Sequence, residues 1–545
     1  MKRKLCSVLL ALCMVLTLLP VSAMADEADT QSATSLPAAD ENGVITLTEN
    51  VELTNGLNYT KDVTIVLNGH TITRTNGQKT ALMITNGATM TIDGSVAGSA
   101  INGTIVVGYS TPSVTNGKLI INGGTYTATV TDDCVVQTNG LCDNCEITAT
   151  NATFNSTDDT FYLAGNGTYR LENCEINGYT GIYMKSGSLT LNNTTIKATG
   201  TYADPVANGN GASSTGDGII LDAKTGYKGN INLNINGGSI SSNNAYAIRE
   251  TYTDSTATAT HSITVNGGTY TSSKDAINVS EYFKKAVASG VSSISISGGT
   301  FSDLSALDYL AEGANVTVKL AANTTKDVTI PANTTVTLDL AGHKIVNSAT
   351  AQDKEVAEAS RKHTITNNGT LTILDSVGGG VVDNVSHGRA ALYNAGTIVE
   401  IKGGKFTRSV DNSTDATSAK GNSWYVIYNA EGANITKISS GEFLALGHFS
   451  SLFCNSGTIN EISGGTFTQD GFIAFKNQGT VNKISGGTFS SESESCIQNW
   501  GTIGEISDGT ITAGRIGIWN FSSDTYKSAG TISRITGGNI SGTTA

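Results

Sequence analysis

The chain has 545 residues, with 33 lysines and arginines against 46 aspartates and glutamates and a formal net charge of −13 at pH 7. A surface of that sign repels nucleic acid and anionic lipid, which argues against both as partners. Only 14% of residues are charged while 38% are apolar, and regularly recurring isoleucine and valine favour polar strands joined by tight turns over helices or disorder.

At the start, Lys2-Arg3-Lys4, an apolar run from Leu5 to Leu19 and the small-x-small site Ala23-Met24-Ala25 form a secretory signal peptide. Residues 1–25 are expected to be removed, which takes three positive charges with them and leaves a secreted or cell-surface product of charge −16. No later apolar run reaches about 18 residues, so no membrane insertion is expected. Residues 26–42 read as a linker. Six cysteines remain, Cys134, Cys142, Cys145, Cys174, Cys454 and Cys496, too few for a disulfide scaffold. Cys142 and Cys145 have the spacing of half a metal knuckle, to which Cys134 and Cys174 can add ligands; a disulfide among these four, or unpaired thiols, are the alternatives. The acidic doublets Asp132-Asp133 and Asp158-Asp159 lie about one structural repeat apart and can stack into a Ca²⁺-binding carboxylate patch, against a plainer reading as solvated turn residues. No other cofactor is indicated.

The clearest signal is an internal repeat. In the second half, Asn394, Asn429, Asn455, Asn477, Asn499 and Asn520 mark successive copies, 35, 26, 22, 22 and 21 residues apart. Two places before each stands a large apolar residue, from Leu392 and Ile427 to Ile518. Three further apolar rows follow, beginning at Ile398, Ile401 and Phe406. A unit this short cannot bury its apolar face alone, whereas stacked units can. The expected fold is all-β: a right-handed parallel β-helix of around twenty coils, which at ~4.8 Å each form a rod on the order of 100 Å long. Within it, the Gly-Gly pairs such as Gly464-Gly465 are expected to turn the backbone, and the asparagines to form a structural ladder of side-chain amides. Cys454 and Cys496, two coils apart, lie beyond disulfide reach.

The residues one place before each asparagine, Tyr393, Tyr428, Cys454, Lys476, Gln498 and Trp519, are mixed in character, and strand alternation puts them on the outer face. With Trp500 and Trp424 nearby, this row is the candidate ligand-binding surface: aromatic rings one coil apart can stack on sugars or on an extended polypeptide. Cross-strand stacking that only stabilises the sheet is the competing reading.

In the first half the theme is irregular, with "INGGTY" ending at Tyr126, "INGGSI" at Ile240, "VNGGTY" at Tyr270 and "ISGGTF" at Phe301, and degenerate copies ending at Ile176 and Ile196. A larger duplication, "DVTIVLNGHTI" from Asp62 against "TVTLDLAGHKI" from Thr335, suggests two tandem modules, residues 43–312 and 313–545. Ser302 to Gly313 has helical spacing with Gly313 as its stop, Ser280 to Gly290 is a second helical candidate, and Ala351 to Lys362 a third, an inserted loop or helix of high charge.

Together the "LNGHTI" and "ILDSVGGG" openings, the "SGGTF" coils and the "YLAEG" ending resemble the large secreted surface proteins of Gram-positive gut bacteria that carry pectate-lyase-like right-handed β-helix regions. The resemblance covers most of residues 43–545. It implies either an adhesin or a polysaccharide-active enzyme. The galacturonan hydrolases of this fold carry N-T-D, D-D, G-H-G and R-I-K in order; here N-T-D and R-I-K are missing and the Gly-His pairs continue as "GHTI", "GHKI" and "GHFS". No catalytic residue carries over, and Arg249-Glu250 has no identifiable partner. The chain stops at "GGNISGTTA" without a sortase-type motif, which suggests a fragment or an anchor elsewhere. The expectation is a non-catalytic adhesin or stalk, monomeric, binding extracellular polysaccharide or host or matrix protein. The alternative is a polysaccharide lyase or glycoside hydrolase.

Overall fold

The computed structural model describes residues 33–75, 79–109, 113–128, 130, 133–208, 211–348, 358–386, 388–408, 424–445, 451–523 and 528–544. The signal peptide, the first part of the linker, Asp132 and residues 351–357 of the third helical candidate lie outside them.

One coil shows how the sequence becomes structure. Phe475–Asn477 is a three-residue strand, and Thr480–Ser491 is a longer one that bends at Gly486-Gly487. Phe475 pairs in parallel with Phe453 on one side and Ile497 on the other. Repetition builds an eight-stranded lateral sheet from Val328–Ile330 to Ile516–Asn520, a nine-stranded lateral sheet from Leu57–Tyr59 to Ile277–Asn278, and a 30-stranded sheet along the chain. The result is an all-β right-handed parallel β-helix. Nine and eight lateral strands at ~4.8 Å span roughly 80 Å, somewhat less than the repeat count suggests.

Strand alternation sends the apolar rows inward. Leu392, Ile398, Ile401 and Phe406 are fully buried, as are their equivalents through Ile497, Ile503, Ile506 and Ile511. Phe443, Phe467 and Phe489 stack ring on ring at 4.6 and 4.4 Å. Each buried phenylalanine contributes about 1.5–3 kcal/mol of transfer free energy. In the first half, Tyr126, Phe154, Ile176, Ile196, Ile240, Tyr270 and Phe301 fall in one paired column, so the degenerate copies keep the register of the clear ones. Cover ends at the last coil, where Ile535 is 52% and Ile540 41% exposed.

The asparagine column is a continuous chain of amides, buried from Asn394 to Asn499 and ending at exposed Asn520. Nδ2 of Asn394, Asn429, Asn455, Asn477 and Asn499 each donates to Oδ1 of the next asparagine at 2.7–2.8 Å. The two histidine-bearing openings form matching turns: His70 N donates to Leu67 O and His343 N to Leu340 O, with Asn68-Gly69 and Ala341-Gly342 at positive φ.

The first helical candidate is helix α1, Glu281–Ala288, capped by Ser280, whose Oγ accepts the Phe283 N–H. The second differs from expectation. Ser305–Tyr309 is a single 3-10 turn, and Leu310–Lys319 is a strand that runs through Gly313. The i, i+3 spacing of buried Leu304 and Leu307 suits a 3-10 turn as well as an α-helix. That turn packs between Ile277–Asn278 and Val328–Ile330, the facing ends of the two lateral sheets. The long sheet runs through the same junction, with Ser293–Phe301 paired to Leu310–Lys319 and that strand to Thr335–Asp339.

Candidate functional site

The row expected to face solvent is assembled in register, Tyr393 to Tyr428, Cys454, Lys476, Gln498 and Trp519. It is much less open than expected. Cys454 is fully buried and Gln498 is 8% exposed; Trp519, at 37%, is the one exposed ring of the row. The preceding segments fold back over it. Trp424 lies 4.9 Å from Tyr428, Tyr425 5.6 Å from Tyr428, and His363 4.6 Å from Tyr393. Tyr393 and Tyr428 themselves stack at 5.6 Å, within 3° of parallel. Their faces are therefore taken up by one another, which leaves little for a sugar. Burial, then Arg389 and Arg408, push His363 down to about 3, and its Nδ1 accepts the Ala390 N–H, so it stays a neutral packing element. Trp500 stacks on Phe521 at 3.7 Å, with Lys476 Nζ 5.6 Å from the Trp500 ring.

Of the acidic doublets, the described members Asp133, Asp158 and Asp159 lie on the first lateral face. Val136 pairs with Phe161, and that register continued backwards sets Asp133 beside Asp158. Asp133 and Asp159 are buried, at 8% and 6% exposure. Thr104 Oγ1 donates to Asp133 Oδ2 and Ser214 Oγ to Asp158 Oδ1. Burial, reinforced by the Asp158 charge, raises Asp159 to about 7, and burial raises Asp217 to about 6. Among the described residues no three His, Cys, Asp or Glu side chains converge as metal ligands. Arg249, unpartnered in the sequence reading, pairs with Asp204 at 2.5 Å and Asp217 at 3.7 Å, both from an insert between two strands. Glu250 accepts from Ser280 and contacts His261 Nδ1 at 2.8 Å. Cys134, Cys142, Cys145, Cys174, Cys454 and Cys496 are all buried, with free thiols.

A groove that the sequence reading missed runs along the Gly-Gly bends of the second half. Its volume is about 660 Å³, and it reaches from Asp375 and Gly380 past Gly404, Gly441, Gly465 and Gly487 to Gly509. One wall is a single paired row: Lys405, Glu442, Thr466, Thr488, Thr510. The three threonines are exposed, one coil apart. Its carboxylates are all engaged. Asp375 accepts backbone N–H groups of Gly342, Gly378 and Gly380, Glu442 pairs with Lys405 at 2.7 Å, and Asp508 Oδ1 accepts the Gly509 N–H. A smaller groove of about 440 Å³ follows the same bend in the first half, over Gly94, Gly98 and Gly123-Gly124. The glycine pattern was visible in sequence, but a trough between two arms of a sheet follows only from the bend angle.

No protein family, curated protein or solved structure matches this chain. No helix among the described residues is long and apolar enough to cross a membrane.

Proposed function

We propose that this is a secreted or cell-surface β-helix protein of the pectate-lyase-like architecture, a non-catalytic adhesin or stalk that holds an extended extracellular polymer. The groove over the Gly-Gly bends carries this reading. It offers hydroxyls and backbone groups at one-coil intervals and a floor made largely of glycine, which suits a long hydroxyl-rich chain such as a polysaccharide lying along the axis. Trp519, at its exposed end of the lateral row, adds a ring for stacking. Asp375, Glu442 and Asp508 are each already held by a lysine or by backbone N–H groups, which weighs against a lyase or hydrolase there.

The test is incubation with plant, mucin and bacterial polysaccharides and matrix proteins, with and without Ca²⁺, scoring retained protein and newly formed sugar ends. Retention without new ends is expected, reduced at least tenfold by Thr488→Arg, which fills the groove from an exposed position. New sugar ends would favour the enzyme and direct mutagenesis to Asp133, Asp158 and Asp159. Retention unchanged in Thr488→Arg but lost in Trp519→Ala would move the site to the lateral face.

A further inference from the structure

Among the described residues one lysine–carboxylate pair has both side chains almost wholly buried: Lys185 at 2% and Asp222 at 0% exposure. Met184 pairs in parallel with Leu221, so the residues that follow them stand side by side on successive coils of the first lateral sheet. Lys185 Nζ lies 2.5 Å from Asp222 Oδ2. Tyr183 Oη donates to the same oxygen at 2.7 Å, and the Thr253 N–H donates to Oδ1 at 2.7 Å. Two full charges shielded from water are penalised, and passing one proton from ammonium to carboxylate leaves a neutral amine against a neutral acid.

We propose that Lys185 and Asp222 condense to an amide, a covalent rung between two coils. The Nζ lone pair attacks Asp222 Cγ. A C–N bond forms, one C–O bond breaks, and that oxygen departs as water with the acid proton and one proton from nitrogen. Nothing is oxidised or reduced, and no co-reactant is consumed. In the tetrahedral intermediate negative charge grows on the carboxyl oxygens, where Tyr183 Oη and the Thr253 N–H already point. Tyr183 Oη is also placed to protonate the leaving oxygen. Fixed contact replaces a bimolecular encounter. Burial also holds the Lys185 amine below its ordinary range, which favours the nucleophilic free base. The rung closes a 37-residue separation that contains the Asp204 and Asp217 insert gripping Arg249.

Peptide mapping of the denatured, trypsin-digested full chain tests this. The expected result is no cleavage after Lys185 and a branched peptide joining the Lys185 and Asp222 segments, lighter than their sum by one water, with fragment ions placing the bond. Two linear peptides cleaved after Lys185 overturn the proposal. So does a dehydrated Asp222 peptide with Lys185 still cleaved, which would be an internal succinimide. Asp222→Ala is expected to abolish the branch, and Tyr183→Phe to slow its appearance after refolding; a branch that persists in Asp222→Ala overturns the assignment. The wild-type map decides the matter even where a variant fails to fold.

Discussion

Gly464 and Gly465 are needed for two different reasons. A Cβ on Gly464 would lie 2.2 Å from Ser439 O of the neighbouring coil, while Gly465 sits at φ +94°. The first position carries side chains at Ser440 and Asp508, where the pairing register shifts to admit them. Gly464→Ala is therefore expected to cost about 1–3 kcal/mol through overpacking, and Gly465→Ala about 1–2 kcal/mol through backbone strain, with tight contacts of 3.3 Å to Gly441 O and the Phe443 ring added to it. Gly432→Ala, at φ +79° with nothing within 4 Å of the added carbon, is the control for strain without contact; urea melts of the three variants separate the terms. The turn role was legible in the sequence, whereas the clash depends on a carbonyl one coil away. Asp159 makes a second prediction. Its folded-state pKa of about 7 exceeds the ordinary value of about 4, so the stability it lends is fully present below pH ~4 and lost as pH rises towards 7. Thermal melts should show the midpoint falling across that window in the wild type and falling less in Asp159→Asn. The opposite behaviour belongs to Asp143, Glu175 and Glu461, which hydrogen bonds to Lys228, Lys197 and Ser485 respectively hold below the ordinary range; their contribution is lost only on further acidification.

Between neighbouring strands, an alternation of charge fixes the register. Glu400, Lys437, Glu461, Lys483, Glu505 and Arg534 occupy one outward row of the long sheet, with contacts of 3.4 Å for Lys437–Glu461, 3.7 Å for Lys483–Glu505 and 2.7 Å for Arg534–Glu505. Each such pair is worth only about 0.2–1 kcal/mol, yet pairing that skipped one coil would set two like charges directly opposite each other. The alternation is plain in the sequence as the residue before each isoleucine of the second apolar row, and it is easily overlooked when the apolar periodicity is read first. Lys483→Glu places three carboxylates in succession. It is expected to destabilise by about 1 kcal/mol in dilute buffer, with the deficit shrinking in high salt as the Debye length shortens; paired melts at two ionic strengths check it. The lateral row shows the limit of such reading. Alternation set Tyr393, Tyr428 and Gln498 in one row opposite the apolar one, but Gln498 is buried, and the cover that Trp424, Tyr425 and His363 give the two tyrosines has no periodic signature.

Across the whole molecule, stacking made the fold legible and left the outer surface obscure, because every coil repeats the same inward rows while the outward ones vary. The grooves inherit that repetition, and with it a length. The second-half groove crosses the bends at Gly380, Gly404, Gly441, Gly465, Gly487 and Gly509, five coil spacings of ~4.8 Å, or roughly 24 Å. A ligand that binds along it should gain affinity with each added unit until its extended length matches that span, and then level off, because further units have no wall to meet. Isothermal titration with a size-graded oligosaccharide series from whichever polymer is retained measures this directly. A plateau near 24 Å that moves to shorter ligands in Thr488→Arg, which blocks the trough between Gly465 and Gly509, fits axial binding in the groove. Affinity independent of length, with full sensitivity to Trp519→Ala, would mean recognition of a chain end at the exposed ring, and the glycine trough would then be a consequence of the bend alone.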